Sequence, residues 1–318
     1  MGCWDRSEDD VVSTLPFSTK CKRLQRWYAA FKSRWSRWSI HPGAPREISP
    51  ALRHVVIQPH VAILARGFPH TLKPNLCRTK TPSTASMAAL VRGLGVAVDA
   101  FETHGGMGCI YALRDPTKVL KIADVGRSWC RYEPRNYDIL QRHHIPCATL
   151  HAFHSRVADG TEYVVSVLER LEFTATAFLR AAGRLREPPE PIAELFEAML
   201  GVLASSNLVY GDLSPDNIMF RKLPHHRYEL ALVDPQFLAP LPAFEQGMTT
   251  KKARHFDRIY LALKIQNIGV RDPVVRVFTE RICTALLGYL PRHDVSKYWI
   301  EHEAPVGLFV AYDIQSAQ

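Results

Sequence analysis

Long apolar runs are missing from this 318-residue chain, and none approaches the roughly 18 residues a membrane-spanning helix needs. Metal-ligand spacing is missing too. The seven cysteines (3, 21, 77, 109, 130, 147 and 283) form no C-x-x-C pair and have no histidine at zinc spacing. That excludes the common structural zinc modules and makes an intracellular, reducing compartment the expected setting. Acidic residues are scarce at the N-terminal end: residues 1–86 carry 5 of the 31 Asp and Glu but 14 of the 40 Lys and Arg. Beyond residue 86 the two signs balance at 26 each, so the net charge of +9 belongs to the N-terminal segment alone. A partner for that segment must be sought apart from any substrate, and nucleic acid is not expected to be one.

What is present is a chain with 47% apolar residues, enough to fill the core of two modest domains or one two-lobed domain. Its central stretch is Leu208 to Phe220, Leu-Val-Tyr-Gly-Asp-Leu-Ser-Pro-Asp-Asn-Ile-Met-Phe. Apolar pairs flank a turn-prone segment containing Gly211, Ser214, Pro215 and Asp216, which reads as a loop held between buried elements. Asp212 and Asn217 stand five residues apart within it. A carboxylate and a carboxamide held that close suit phosphoryl transfer, one orienting the attacking hydroxyl and the other binding a phosphate-bound Mg²⁺. Taken alone the spacing also fits a plain surface turn.

Upstream, Thr103-His-Gly-Gly-Met-Gly-Cys109 leads into Ile110 to Leu113, a turn at Asp115-Pro116, and Val119-Leu-Lys-Ile-Ala123. This is a glycine-rich hairpin followed by a strand with one lysine in an apolar run. Backbone N–H groups of Gly105, Gly106 and Gly108 can approach phosphates closely, and Lys121 can reach them. Downstream, Glu229-Leu-Ala-Leu-Val-Asp-Pro-Gln236 is an apolar strand ending in Asp234. The segments 218–220 and 232–233 can form a hairpin presenting Asp212 and Asp234 on one side.

In this order and at this spacing the motifs resemble the protein-kinase-like superfamily, whose catalytic loop reads H-R-D-x-x-x-x-N. The resemblance implies an α+β, two-lobed protein-kinase-like fold using ATP and Mg²⁺. The small β-rich N-lobe would span about 87–168 and the reduced helical C-lobe about 172–318. It implies Asp212 as catalytic base, Asn217 and Asp234 as metal ligands, and Lys121 on the phosphates. Trp129 to Leu140 reads as the helix whose Glu133 pairs with Lys121, with Asp138 as the alternative and an exposed helix-start Glu as the structural reading. Tyr163 to Leu171 falls where the superfamily has its hinge, so backbone groups of Glu169 and Leu171 would bind adenine, with Leu168 behind them. Phe173 to Arg186 and Pro191 to Ser205 read as helices leading to the catalytic loop. Asp257 resembles the buried helix Asp that braces that loop.

Three departures matter. Tyr210-Gly211 replaces His-Arg, so no arginine gathers an activation-segment phosphate and activity should not depend on one. Ser214 stands where Ser/Thr kinases usually have a lysine touching the transferring phosphate, leaving that charge to Mg²⁺ or to a cation such as Lys251 or Lys252. Pro235-Gln236 replaces Phe-Gly, and only 22 residues separate Asp234 from Asp257 with no A-P-E. The shortened pattern looks like the compact kinases some pathogens inject into host cells. The expected activity is phosphoryl transfer to protein Ser/Thr hydroxyls. The alternatives are a small-molecule phosphotransferase of the aminoglycoside or choline kinase type, favoured by Gly211-Asp212 and Ile145-Pro146, and an inactive pseudokinase scaffold.

Residues 1–86 read as a basic, largely irregular extension. Leu24, Trp27, Tyr28, Phe31, Trp35 and Trp38 make an apolar stripe on a helix of about residues 20–38 flanked by Lys and Arg, which suits an anionic membrane surface or docking on the kinase-like domain. Met1-Gly2-Cys3 raises acylation, although Trp4, Asp5 and Arg6 depart from the usual pattern. From His41 to Ser86 seven prolines interrupt any long element; Val55 to Leu64 could make one short strand or helix, but the region reads mainly as linker. Met87 opens the better-patterned part, and Ala88 to Leu113 reads as N-lobe strands.

Overall fold

The computed structural model describes residues 54–68, 82–104, 108–126, 130–206, 208–240 and 256–287. The amphipathic stripe, residues 1–40 as a whole, Gly105, Gly106, Lys251 and Lys252 lie outside these residues.

Strong β-formers in alternation build an antiparallel N-lobe sheet of β2 (Val98–His104), β3 (Cys109–Leu113), β4 (Lys118–Asp124), β6 (Thr161–Glu169) and β5 (Leu150–Ala158), in that spatial order. One face buries Cys109, Tyr111, Leu113, Leu120, Ile122, Tyr163, Val165 and Val167. α2 (Thr84–Val91) adds Leu90 to that core and is capped where Ser83 Oγ accepts the Ser86 N–H at 3.2 Å. The start of the segment expected as strands is therefore helical. Ala85, Ala88 and Ala89 favour helix, and the Ser83 cap starts it. Central β4 is buried on both faces from Leu120 onward, so Lys121 enters the interior from a strand otherwise apolar around it.

α3 (Glu133–Arg142) begins with Pro134 in its first turn and packs Tyr137 and Leu140 into the larger core. After β6 the chain passes through β7 (Phe173–Thr174) into α4 (Ala175–Leu185), started by Thr174 Oγ1 accepting the Ala177 N–H at 3.2 Å. α5 (Glu190–Ser205) buries Ile192, Leu195, Phe196, Met199, Leu200 and Leu203 at helical spacing. β8 (Leu208–Val209) opens the segment that carries Asp212 and Asn217, and the expected hairpin follows as β9 (Ile218–Leu223) and β10 (Arg227–Leu232). β11 (Ala239–Pro240) pairs with β8; α6 (Phe256–Arg271) and α7 (Arg276–Leu287) complete the C-lobe. No described helix is long and apolar enough to cross a membrane.

Residues 54–68, read mainly as linker with one short strand or helix allowed over 55–64, form both a strand and a helix. There β1 (Val55–Val56) pairs antiparallel with β10, and α1 (Pro59–Gly67) packs on α4. Pro59 serves as a helix starter rather than a breaker, and Val61, Ala62 and Ala65 form one buried face. Ile57 joins the same core. Arg66 pairs with Glu172 just past β6 at 2.6 Å, and Arg184 lies over the Phe68 ring at 4.9 Å. The extension and the C-lobe share one core here, so the boundary at residue 87 divides a single packed unit.

Candidate active site

Lys121, Glu133 and Asp234 come from a strand, a helix and a turn, and they meet. Lys121 Nζ lies 2.8 Å from Glu133 Oε2 and also contacts Asp234 Oδ1. Glu133, 1% exposed, is the residue facing Lys121, whereas Asp138 pairs with Arg142 on the outer side of α3. Burial works against the Lys121 ammonium, but the charges of Asp234 and Glu133 outweigh it and hold its pKa above the ordinary lysine value. Burial pushes Glu133 up to about 7, with Lys121 opposing. Gly108 lies at a close approach: a Cβ there would stand 3.1 Å from the Ile122 carbonyl oxygen and 3.2 Å from Lys121 Cε, so these neighbours would have to give by a few tenths of an ångström.

The turn carrying Asp234 is tied to α3. Asn136 Nδ2 donates to the Pro235 carbonyl at 2.6 Å, and Asp234 N donates to the Tyr137 hydroxyl at 3.2 Å. Gln236 Nε2 donates to Asp234 Oδ1 at 2.9 Å. Asp234 itself adopts a left-handed backbone, φ 65°. Where Phe-Gly would rely on ring packing, Pro235-Gln236 uses hydrogen bonds.

Asp212 and Asn217 stand together across the loop: Asn217 Nδ2 donates to the Asp212 carbonyl at 2.8 Å and to its Oδ2 at 3.0 Å. Tyr260 on α6 donates to Asp212 Oδ1 at 2.8 Å. Burial raises the Asp212 pKa, Tyr260 and the Lys264 charge pull it down, and the charge of Asp234 is near enough to raise it. Asp257 accepts the N–H of Tyr210 at 2.6 Å and of Gly211 at 2.8 Å, as expected of a brace. Gly211 has φ 86°, a conformation that a bulkier residue adopts only with strain. Burial pushes Asp257 up to about 6.

Glu169 closes β6, and its backbone N–H donates to Thr149 O at 2.9 Å; Leu168 and Leu171 are buried against the larger core. The Glu169 carboxylate turns to Arg221, at 2.7 and 2.8 Å, and Arg221 also reaches Glu229 and, at 2.7 Å, the Cys147 carbonyl. This cluster joins the end of β6 to the β9–β10 hairpin. Arg221→Met would leave two half-buried carboxylates facing each other. It is expected to lower stability by about 2–4 kcal/mol, read as a lower urea midpoint at unchanged m.

Sequence reasoning missed Asn136, Tyr137, Tyr260 and Arg221. The first two follow Glu133 by three and four residues, and Tyr260 follows Asp257 by three, so helical spacing alone puts each on a face with a residue already singled out.

Five antiparallel strands with one inward lysine, a helix carboxylate on that lysine, and a helical lobe presenting an Asp/Asn loop define a protein-kinase-like fold. No family model and no curated protein matches the chain. Among solved structures it is similar to WaaP in complex with acyl carrier protein, at 15% identity and a TM-score of 0.42, covering 81% of this chain and 97% of that one.

Proposed function

We propose that this protein is an ATP- and Mg²⁺-dependent kinase of reduced size that transfers phosphate to Ser or Thr hydroxyls of a protein and needs no activation-segment phosphate. The observation that carries the reading is Lys121 held between Glu133 and Asp234, with Asp212 and Asn217 joined on the loop opposite. The donor set fits Mg²⁺: a carboxylate at Asp234 and a carboxamide at Asn217 whose nitrogen is spent on Asp212, leaving its oxygen for a hard cation. Mg²⁺ bound there with the nucleotide neutralises phosphate charge.

The chain's own residues supply the rest. Lys121, kept charged by its two carboxylates, binds the phosphates, and the Gly105 to Gly108 backbone covers them. The Glu169 carbonyl and backbone groups of Leu171 hold the adenine edge, the Glu169 N–H being bonded to Thr149 O. Asp212 accepts the proton of the acceptor hydroxyl as the new O–P bond forms and the bridging P–O bond to ADP breaks.

Among the described residues between Leu171 and Tyr210 stand β7, α4, α5 and β8 and no inserted element to enclose a small acceptor, which favours a protein substrate. A small-molecule alcohol is the second reading, favoured by Gly211 before Asp212 with φ 86°. Radiolabelled ATP and Mg²⁺ with a generic protein acceptor, run beside Asp212→Ala and beside aminoglycoside and choline acceptors, separates them. Label on protein that Asp212→Ala abolishes supports the primary reading. Label on the small acceptor alone moves the function to the second, and no label on anything leaves a binding scaffold.

A further inference from the structure

The loop carries no cation where Ser/Thr kinases usually have one, since Ser214 stands there. Its backbone N–H is bonded to the Asp212 carbonyl at 2.8 Å, so the segment is a tight turn with an uncharged side chain at that point. Helix α6 runs alongside. Its Asp257, Tyr260 and Lys264 are spaced by three and four residues and so share one face. Asp257 binds the N–H groups of Tyr210 and Gly211, the Tyr260 hydroxyl bonds Asp212 Oδ1 at 2.8 Å, and Lys264 Nζ sits 4.9 Å from the Tyr260 ring centroid. That last separation is a cation–π contact. Leu261, Ile265 and Ile268 anchor the rest of α6 in the C-lobe core.

From this placement we infer that Tyr260 is a positioning residue for Asp212 and that Lys264 delivers, from α6, the positive charge that Ser214 leaves out. The inference rests on the phosphotransfer reading above. Asp212 Oδ2 is held by Asn217 at 3.0 Å and Oδ1 by Tyr260, so each oxygen has one fixed donor. The carboxylate plane is thereby set, with lone pairs left for the acceptor proton. A cation at Lys264, set against the ring of the tyrosine that holds Asp212, stabilises negative charge spreading over the transferring phosphoryl oxygens.

The test compares kcat and KM for ATP in the full chain for Tyr260→Phe, Lys264→Met, Lys264→Arg and the double variant Lys264→Met with Ser214→Lys, each with a thermal melt. Tyr260→Phe is expected to lower kcat about tenfold, the loss of one hydrogen bond to a charged group. Lys264→Met should lower it by about ten- to a hundredfold, with KM for ATP within about twofold and melting unchanged. Lys264→Arg and the added Ser214→Lys should each return most of the rate, because a charge restored from either side does the same work; a lost packing contact would not respond to Ser214→Lys. Wild-type kcat in Lys264→Met, or a loss that neither change recovers, overturns the role of Lys264, and wild-type kcat in Tyr260→Phe overturns that of Tyr260. An unsubstituted protein that transfers no phosphate at any acceptor overturns the underlying reading, and this one with it.

Discussion

In the proposed kinase reaction Lys121→Ala is expected to retain less than about one hundredth of the wild-type rate of phosphoryl transfer, and Asp234→Asn likewise, because the first removes a cation from the phosphates and the second weakens the site proposed for the metal. The two differ in stability. Lys121 is the cation beside Glu133, so its removal strands a carboxylate that is 1% exposed, at a cost of about 3–5 kcal/mol. Asp234→Asn leaves the Lys121–Glu133 pair in place. Acidity gives a further handle. Glu133 has its folded pKa raised to about 7 from 4.5, so the folded state binds the extra proton and stability contributed by this group declines as pH rises through that window. Without Lys121 the rise is larger, so the destabilisation should be greater near about pH 8 than near about pH 5. Adding Glu133→Gln to Lys121→Ala should recover stability but not activity. Near-normal turnover in either single variant would remove that residue from the mechanism.

A chain starting at Met87 should lose cooperative folding. It would lack Ile57, Val61, Ala62 and Ala65 from the core, the β1–β10 pairing and the Arg66–Glu172 bond. Ile57 and Val61 alone bury about 1.5–3 kcal/mol each, against a typical domain stability of about 5–15 kcal/mol. A broad melt with weak near-ultraviolet dichroism is expected. A sharp transition within a few degrees of the full chain would mean that residues 54–68 are dispensable.

The parts of the fold legible in the sequence were those where chemistry and periodicity agree. A single lysine in an apolar strand, a glutamate before a proline at a helix start, and an Asp/Asn loop between apolar pairs each name their own location. Within 54–68 the sequence allows one short strand or helix over 55–64 but does not decide between them, for a physical reason. Proline at position 59 can start a helix or interrupt one, depending on the residues around it, and the two-residue strand before it exists only because β10 offers an edge. Hydrogen-bond partners such as Asn136 with Pro235 join residues 99 apart in sequence, and no local pattern encodes that closure. The glycine loop was read from composition, and of its glycines the described residues include Gly108 alone.

The bonds from Asn136 and Tyr137 to the Asp234 turn couple α3 to that turn. Linkage then runs both ways: a ligand that draws on Asp234 steadies α3, and a compound that displaces α3 weakens whatever Asp234 holds by the same factor. In the proposed kinase, an inhibitor wedged behind α3 would therefore weaken binding of the metal–nucleotide complex without touching a single atom of it.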